Sequence, residues 1–272
     1  MSQLDVCIET VFTDLPYPER IKKISDIGYK AIEFWHPEGT WDGNAINTAL
    51  SKDADVIRQV CEETGTKVNG FVVNAWDGLF GGNPSKAADK TRFLEQVNKM
   101  IEFAGKIDCR CGVIMPGLTQ PDLSQADMRK NIESAFGDAL EIAEKDKFIL
   151  LVEPLNTVVD HAGFYLESLN EAAEIVRGFK SPYMKLLYDI YHMQIMGGNV
   201  VASIEEHCDI IGHIHVAGVP GRAEPDECEL YYPYIFSRAV EAGYEGWFGL
   251  EYFPNVDSET SLKRQLNLVA MV

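Results

Sequence analysis

The 272-residue sequence predicts an α/β fold, a (βα)8 barrel forming a single domain over residues 1–272. Three observations carry that expectation. Short apolar runs alternate with longer segments of helical period, no Pro/Gly/Ser-rich linker divides the chain, and the last four apolar runs each end in a residue able to bind a metal. Alternating strand and helix patterns are the mark of parallel βαβ units. A doubly wound open sheet fits the alternation too, and the site residues decide for the barrel.

In chain order the strand candidates are Val6–Ile8, Ala31–Trp35, Lys67–Val73, Gly112–Met115, Phe148–Val152, Lys185–Tyr188, Ile210–Val216 and Trp247–Leu250. Each is a short run of apolar residues, the pattern of strands buried on both faces. The helix candidates between them begin with Ile21, Ile24 and Ile27, spaced by three after Pro16 and Pro18. Phe93–Phe103, Met128–Ala143, Leu166–Val176, Ile235–Ala242 and Ser261–Val269 follow. "DIGYKAIEFW" and "EAGYEGWFGLE" share one stop signal, a glycine able to take a left-handed cap, then tyrosine and a strand. The loops His36–Asn44, Asn74–Ser85 and Gly218–Tyr232 are long and irregular, and each follows a strand. Such loops carry function, and in a (βα)8 barrel they build the active-site face.

The net charge of −18 and a pI near 4.7 argue against nucleic-acid partners, which need clustered Lys and Arg. No stretch of eighteen apolar residues suggests a membrane span. The start, MSQLDVCIET, shows no basic segment followed by an apolar run, so the expected location is the cytoplasm. Cys7, Cys61, Cys109, Cys111, Cys208 and Cys228 are scattered and are expected as reduced thiols.

The chemistry lies in four strand ends, "FILLVEP", "KLLYDIYH", "IIGHIHVAG" and "WFGLEYF", which offer Glu153, Asp189, His215 and Glu251. Neighbouring barrel strands set their C-terminal side chains around one axis, so four residues far apart in sequence can converge. Strand alternation puts Leu151, Leu187, His213 and Gly249 on the same inward side, while Leu150, Val152, Leu186, Tyr188, Ile214, Val216, Phe248 and Leu250 face the helices. Pro154 pushes Glu153 to extended backbone and ends its strand. Singly, each acid reads as a helix cap and the histidine as a core residue. Together, three buried carboxylates demand a cation, and oxygen ligands with one imidazole suit Mg2+, Mn2+ or Co2+, with Zn2+ as an alternative.

In the stretches "VEPLNTVVDHAGFYL", "LLYDIYHMQIMGGN", "GHIHVAGVPGRAEPDECELYYPYIF" and "GYEGWFGLEYFP" the chain resembles the hydroxypyruvate isomerase-like branch of the xylose isomerase-like TIM barrels, whose relatives include ketose 3-epimerases. The resemblance covers most of the C-terminal half. It implies a divalent metal held by Glu153, Asp189, His215 and Glu251. Glu153 and Glu251 would be the acid/base pair, and His192 and Arg222 would hold a small sugar or keto-acid substrate. The third ligand is glutamine in some members of the branch and histidine in the epimerases, so His215 leaves isomerase and epimerase both open. Where family members commonly carry glycine, this chain has Asp226-Glu227-Cys228, a departure beside the site.

Isomerising an α-hydroxy carbonyl moves a proton between adjacent carbons through an enediolate. Arg222, a planar fork, suits an anionic group of the substrate. His213 is expected one layer below His215, and Trp35, His36, Phe71 and Trp76 as pocket walls; Glu9 and Glu33 sit near early strand ends. Competing readings are a ketose 3-epimerase with the same ligands, a multi-zinc DNA-repair nuclease, and a non-catalytic sugar-acid-binding barrel. Only six histidines and the acidic charge argue against the nuclease. A homo-oligomer is also expected, with Tyr231, Tyr232 and Tyr234 as a subunit contact or a pocket wall.

Overall fold

The protein's structure, a computed structural model, describes residues 3–269; the ends of the expected domain range, 1–2 and 270–272, lie outside the described residues. Eight parallel strands run β1 Gln3–Cys7, β2 Ala31–Phe34, β3 Lys67–Phe71, β4 Cys111–Ile114, β5 Ile149–Val152, β6 Met184–Asp189, β7 Ile211–Val216 and β8 Trp247–Leu250. Hydrogen bonding follows sequence order from β3 through β2 and β1 to β8 and back down to β4. A parallel bridge between Val72 and Val113, with the Val73 N–H donating to the Val113 carbonyl at 2.8 Å, joins the two ends. The sheet is thus a closed barrel. Helices α1 Tyr17–Ile27, α2 Ala54–Thr64, α3 Lys90–Lys106, α4 Gln125–Asp146, α5 Leu169–Phe179, α6 Ile190–Met196, α7 Val200–His207, α8 Tyr232–Glu241 and α9 Ser258–Gln265 follow the strands.

The outward faces of the last strands are apolar as alternation requires. Leu150, Val152, Leu186, Tyr188, Ile214, Val216, Phe248 and Leu250 are fully buried. Gly28 and Gly243 take φ of 121° and 103°, backbone open to glycine, and the buried tyrosines that follow anchor each turn; Tyr29 donates to the Leu262 carbonyl.

Element bounds need correcting at three places, one of them the last helix, which is Ser258–Gln265 rather than Ser261–Val269 because Asp257 caps it by accepting from the Thr260 N–H. The first strand is Gln3–Cys7 rather than Val6–Ile8, because Asp5 points into the barrel, buried, and accepts a 2.7 Å hydrogen bond from Asn69. A buried acid hid the strand's pattern. Helix α5 begins at Leu169, not Leu166: the Ser168 hydroxyl caps it by accepting from the Glu171 N–H, and the Leu166 carbonyl instead accepts from the Leu155 N–H. The six cysteines are free.

Candidate metal centre and active site

The register places the inward residues of adjacent strands side by side. Asp189 of β6 pairs with His215 of β7, His215 with Gly249 of β8, and Gly249 with Asp5 of β1. Glu153 and Glu251 follow the last residues of β5 and β8. One ligand atom from each of Glu153, Asp189 and His215 lies within 4.8 Å of the others, and all three residues are buried. Glu251 completes the cluster from the fourth strand. His215 Nδ1 lies 3.3 Å from Glu251 Oε2, 3.8 Å from Glu153 Oε1 and 4.0 Å from Asp189 Oδ2. The structure thus brings Glu153, Asp189 and His215 together, with Glu251 beside His215.

His215 Nδ1 is buried with no hydrogen-bond partner, and it faces three carboxylates. Burial opposes a charge on this ring, but Glu33 and Glu251 outweigh it and raise the imidazole well above its ordinary range, so the nitrogen calls for a positive partner among the three carboxylates, a proton or a cation in its place. Burial, with Asp189 and Glu251 reinforcing it, pushes the Glu153 carboxyl up to about 8, and burial likewise raises Asp189 against the pull of Arg222 and His215. Glu251 differs: burial works to raise it, but Arg222 and His215 outweigh that and hold it well below the ordinary carboxylate range. Such a donor set, three oxygens and one imidazole nitrogen, fits a divalent cation.

The remaining predicted residues are close by. Arg222 donates to Glu251 Oε2, lies 3.5 Å from Asp189 Oδ2, and stacks 5.2 Å from the Tyr191 ring. Its guanidinium is thus already engaged by two of the carboxylates. It sits at φ 54°, an unusual conformation for a non-glycine residue, fixed by a turn in which Gly218 and Ala223 bridge and by the Phe253 N–H donating to its carbonyl. His192 accepts from the Asn156 side-chain amide at 2.6 Å and points Nε2 toward Asp189 Oδ2 at 3.4 Å; burial and Arg222 keep it neutral.

A cavity of about 310 Å3 opens onto these groups. Glu153, Glu251, His192, His215 and Arg222 form its floor, and Trp35, His36 and Trp76 wall it as expected. Phe71 does not: it stacks on Phe34 with ring centres 5.4 Å apart, between barrel and helices. Nor do Tyr231, Tyr232 and Tyr234 line it. Tyr232 is buried and donates to the Ala217 carbonyl, while Tyr231 and Tyr234 are exposed. The Asp226-Glu227-Cys228 segment is tied to α9: Arg264 contacts Asp226 and Glu227 at 2.7 Å each, and Gln265 donates to Asp226.

Sequence reasoning undervalued Glu33, whose Oε2 lies 3.0 Å from His213 Nε2 and 3.1 Å from His215 Nε2. Its signal was an acid between Ile32 and Phe34 inside an apolar strand. It also missed His161, which packs edge-on between Trp76 and His192, because no strand end marks it.

The profile of the xylose isomerase-like TIM barrels matches residues 21–269. The chain belongs to that family. Among relatives of this barrel, the 2-oxo-tetronate isomerase of Cupriavidus necator is 28% identical, covering 94% of each chain. The hydroxypyruvate isomerase of Escherichia coli K12 is 26% identical over 97% of this chain and 98% of the relative. Both relatives are isomerases, the enzyme class to which this kinship assigns the barrel. A crystal structure described as AP endonuclease, family 2, from Brucella melitensis superposes with a TM-score of 0.87 at 29% identity, covering 98% of this chain and 99% of that one.

Proposed function

We propose that this barrel is a divalent-metal-dependent isomerase that moves a proton between adjacent carbons of a small hydroxy-keto acid, in the manner of a hydroxypyruvate isomerase. The observation that carries the proposal is the grouping of Glu153, Asp189 and His215 at one buried point, with Glu251 Oε2 3.3 Å from a His215 Nδ1 left without a partner. These four would hold the ion, which when bound would act as a Lewis acid and stabilise the negative charge that develops on oxygen. Arg222 adds a fixed positive charge on the same side. Glu153 and Glu251 flank the cavity floor and are the groups placed to take a proton from one carbon and return it to the next. Trp35 restrains Glu251 by donating its indole N–H to Oε1. The aromatic walls exclude water from the reacting carbons, and the neutral His192 offers a hydrogen bond to a substrate oxygen.

The cavity volume suits a substrate of a few carbons, consistent with the substrates named for the two relatives. Among the described residues no helix is long and apolar enough to cross a membrane, and action in the cytoplasm belongs to the same proposal. The test is turnover of hydroxypyruvate and of a four-carbon 2-oxo acid by metal-stripped protein with and without added Mn2+, followed by NMR. Isomer formation only with Mn2+ is the expected result. Equal turnover without any divalent ion would remove the metal from the account.

A further inference from the structure

We propose that Glu33 is a positioning residue for the metal site, fixing His215 in the Nε2–H form so that its Nδ1 lone pair points at Glu153, Asp189 and Glu251. The inference rests on the metal-site reading above and adds to it a residue outside the ligand set. Glu33 enters the barrel from β2, on the far side of His215 from the other three acids. Its Oε2 accepts from both His215 Nε2 at 3.1 Å and His213 Nε2 at 3.0 Å, and all three residues are buried. A buried carboxylate accepts hydrogen bonds and cannot donate them when ionised, so the nitrogen facing it must carry the hydrogen. In the neutral ring the other nitrogen then keeps its lone pair, which is the form a metal needs when it takes the place of a proton there.

The fold makes room for this arrangement at a cost that only glycine meets. Gly249 is the register partner of His215, and a Cβ there would lie 2.6 Å from Glu33 Oε1, 2.7 Å from His213 Nε2 and 3.0 Å from His215 Cδ2. Glycine at this point of β8 is therefore the space in which the carboxylate and the two imidazoles assemble. Glu33, His213 and His215 are also grouped closely enough to hold an ion themselves. That alternative would use Nε2 of His215, so the nitrogen that carries the metal separates the two arrangements.

The deciding experiment is a long-range 1H–15N correlation on histidine-labelled, Zn2+-loaded protein, with His215 assigned from its missing signals in His215→Gln. The expected spectrum has Zn2+ on Nδ1 and a hydrogen on Nε2; Zn2+ on Nε2 would overturn the proposal. Calorimetric Zn2+ affinity supplies the second reading. Glu33→Leu should bind about 10- to 100-fold more weakly, as for other partners of metal-bound histidines, while Glu33→Gln, which keeps an acceptor oxygen, should stay within about threefold. Gly249→Ala keeps every ligand residue but crowds the Glu33 carboxylate and both imidazoles, so it too should weaken binding, and it serves if Glu33→Leu fails to fold. Unchanged affinity in both Glu33→Leu and Gly249→Ala would refute the role. If wild-type protein takes up no Zn2+, the metal-site reading itself fails and this inference goes with it.

Discussion

At Asp189 one side chain performs two tasks with two oxygens. Oδ1 caps α6, accepting from the backbone N–H groups of Tyr191 at 2.7 Å and His192 at 3.2 Å, while Oδ2 faces His215 and Arg222. Asparagine caps helices as well as aspartate does, so Asp189→Asn separates the tasks. It should leave the melting temperature within a few degrees of wild type and weaken Mn2+ binding at least about a hundredfold, beyond what residues touching only the ligands cost. Matched calorimetric affinities would show that Asp189 is a cap and no more. His36 gives a second residue-scale prediction. Burial, aided by the Lys52 charge, holds its imidazole down to about 3. The unfolded chain takes up that proton near pH 6.5, the native state not until near 3, so stability is full above 6.5 and falls as the pH drops toward 3. Between pH 7 and 5 the loss should be about 2 kcal/mol, and His36→Gln should remove that part of the slope in urea titrations. Parallel pH slopes for the two proteins would contradict it. Of the residues in the site, those ending apolar strands were legible because a polar group stands out there. His161 and Asn156, in the loop after β5, have no periodic background to stand out from.

The elements differ in how plainly the chain announces them. Strands β5 to β8 follow from apolar runs whose alternation assigns both faces. The short hairpin of Thr40–Trp41 with Ile46–Asn47 carries too few residues to show a period, and its position is set instead by long-range ion pairing. Lys52, fully buried, bonds to the carbonyls of His36 and Gly39, to the Thr40 hydroxyl and to Glu9, whose other oxygen accepts from the Trp41 N–H. Arg20 closes the group by donating to the Trp41 carbonyl. None of these contacts is visible locally, since Glu9, Arg20 and Lys52 are distant in sequence. The network holds Trp41 and Ile46, two walls of the cavity. Lys52→Met strands Glu9 without its lysine and should cost about 3–5 kcal/mol in denaturant unfolding. Adding Glu9→Gln should recover part of that, and a loss below about 1 kcal/mol would show the pair to be dispensable. Helix α5 was misplaced by three residues although Ser168 and Glu171 stand at the spacing of a capping box. The apolar Leu166 drew the boundary upstream because it is core without being helix.

Over the whole molecule, barrel closure turns four separate strand ends into one site. The fold and the gathering of these side chains were legible together because a closed parallel barrel brings C-terminal strand residues around one axis. The interior below them was not legible, since Asp5, Glu33, His213 and Gly249 acquire meaning only from their neighbours across the barrel. With an acidic net charge the chain does not draw in an anionic substrate, so under the proposed function recognition would fall to Arg222 and to the cation the site would hold. The central claim is that Glu153 and Glu251 move a carbon-bound proton with the help of a divalent ion. The most direct measurement is deuterium incorporation from D2O into hydroxypyruvate and a panel of ketoses, followed by NMR for wild type and Glu251→Gln, with and without Mn2+. The account predicts Mn2+-dependent labelling at a carbon beside the carbonyl, lowered about a hundred- to ten-thousand-fold in the variant, with the labelled position telling isomerase from epimerase. Labelling that persists undiminished in Glu251→Gln, or without any divalent ion, would contradict it.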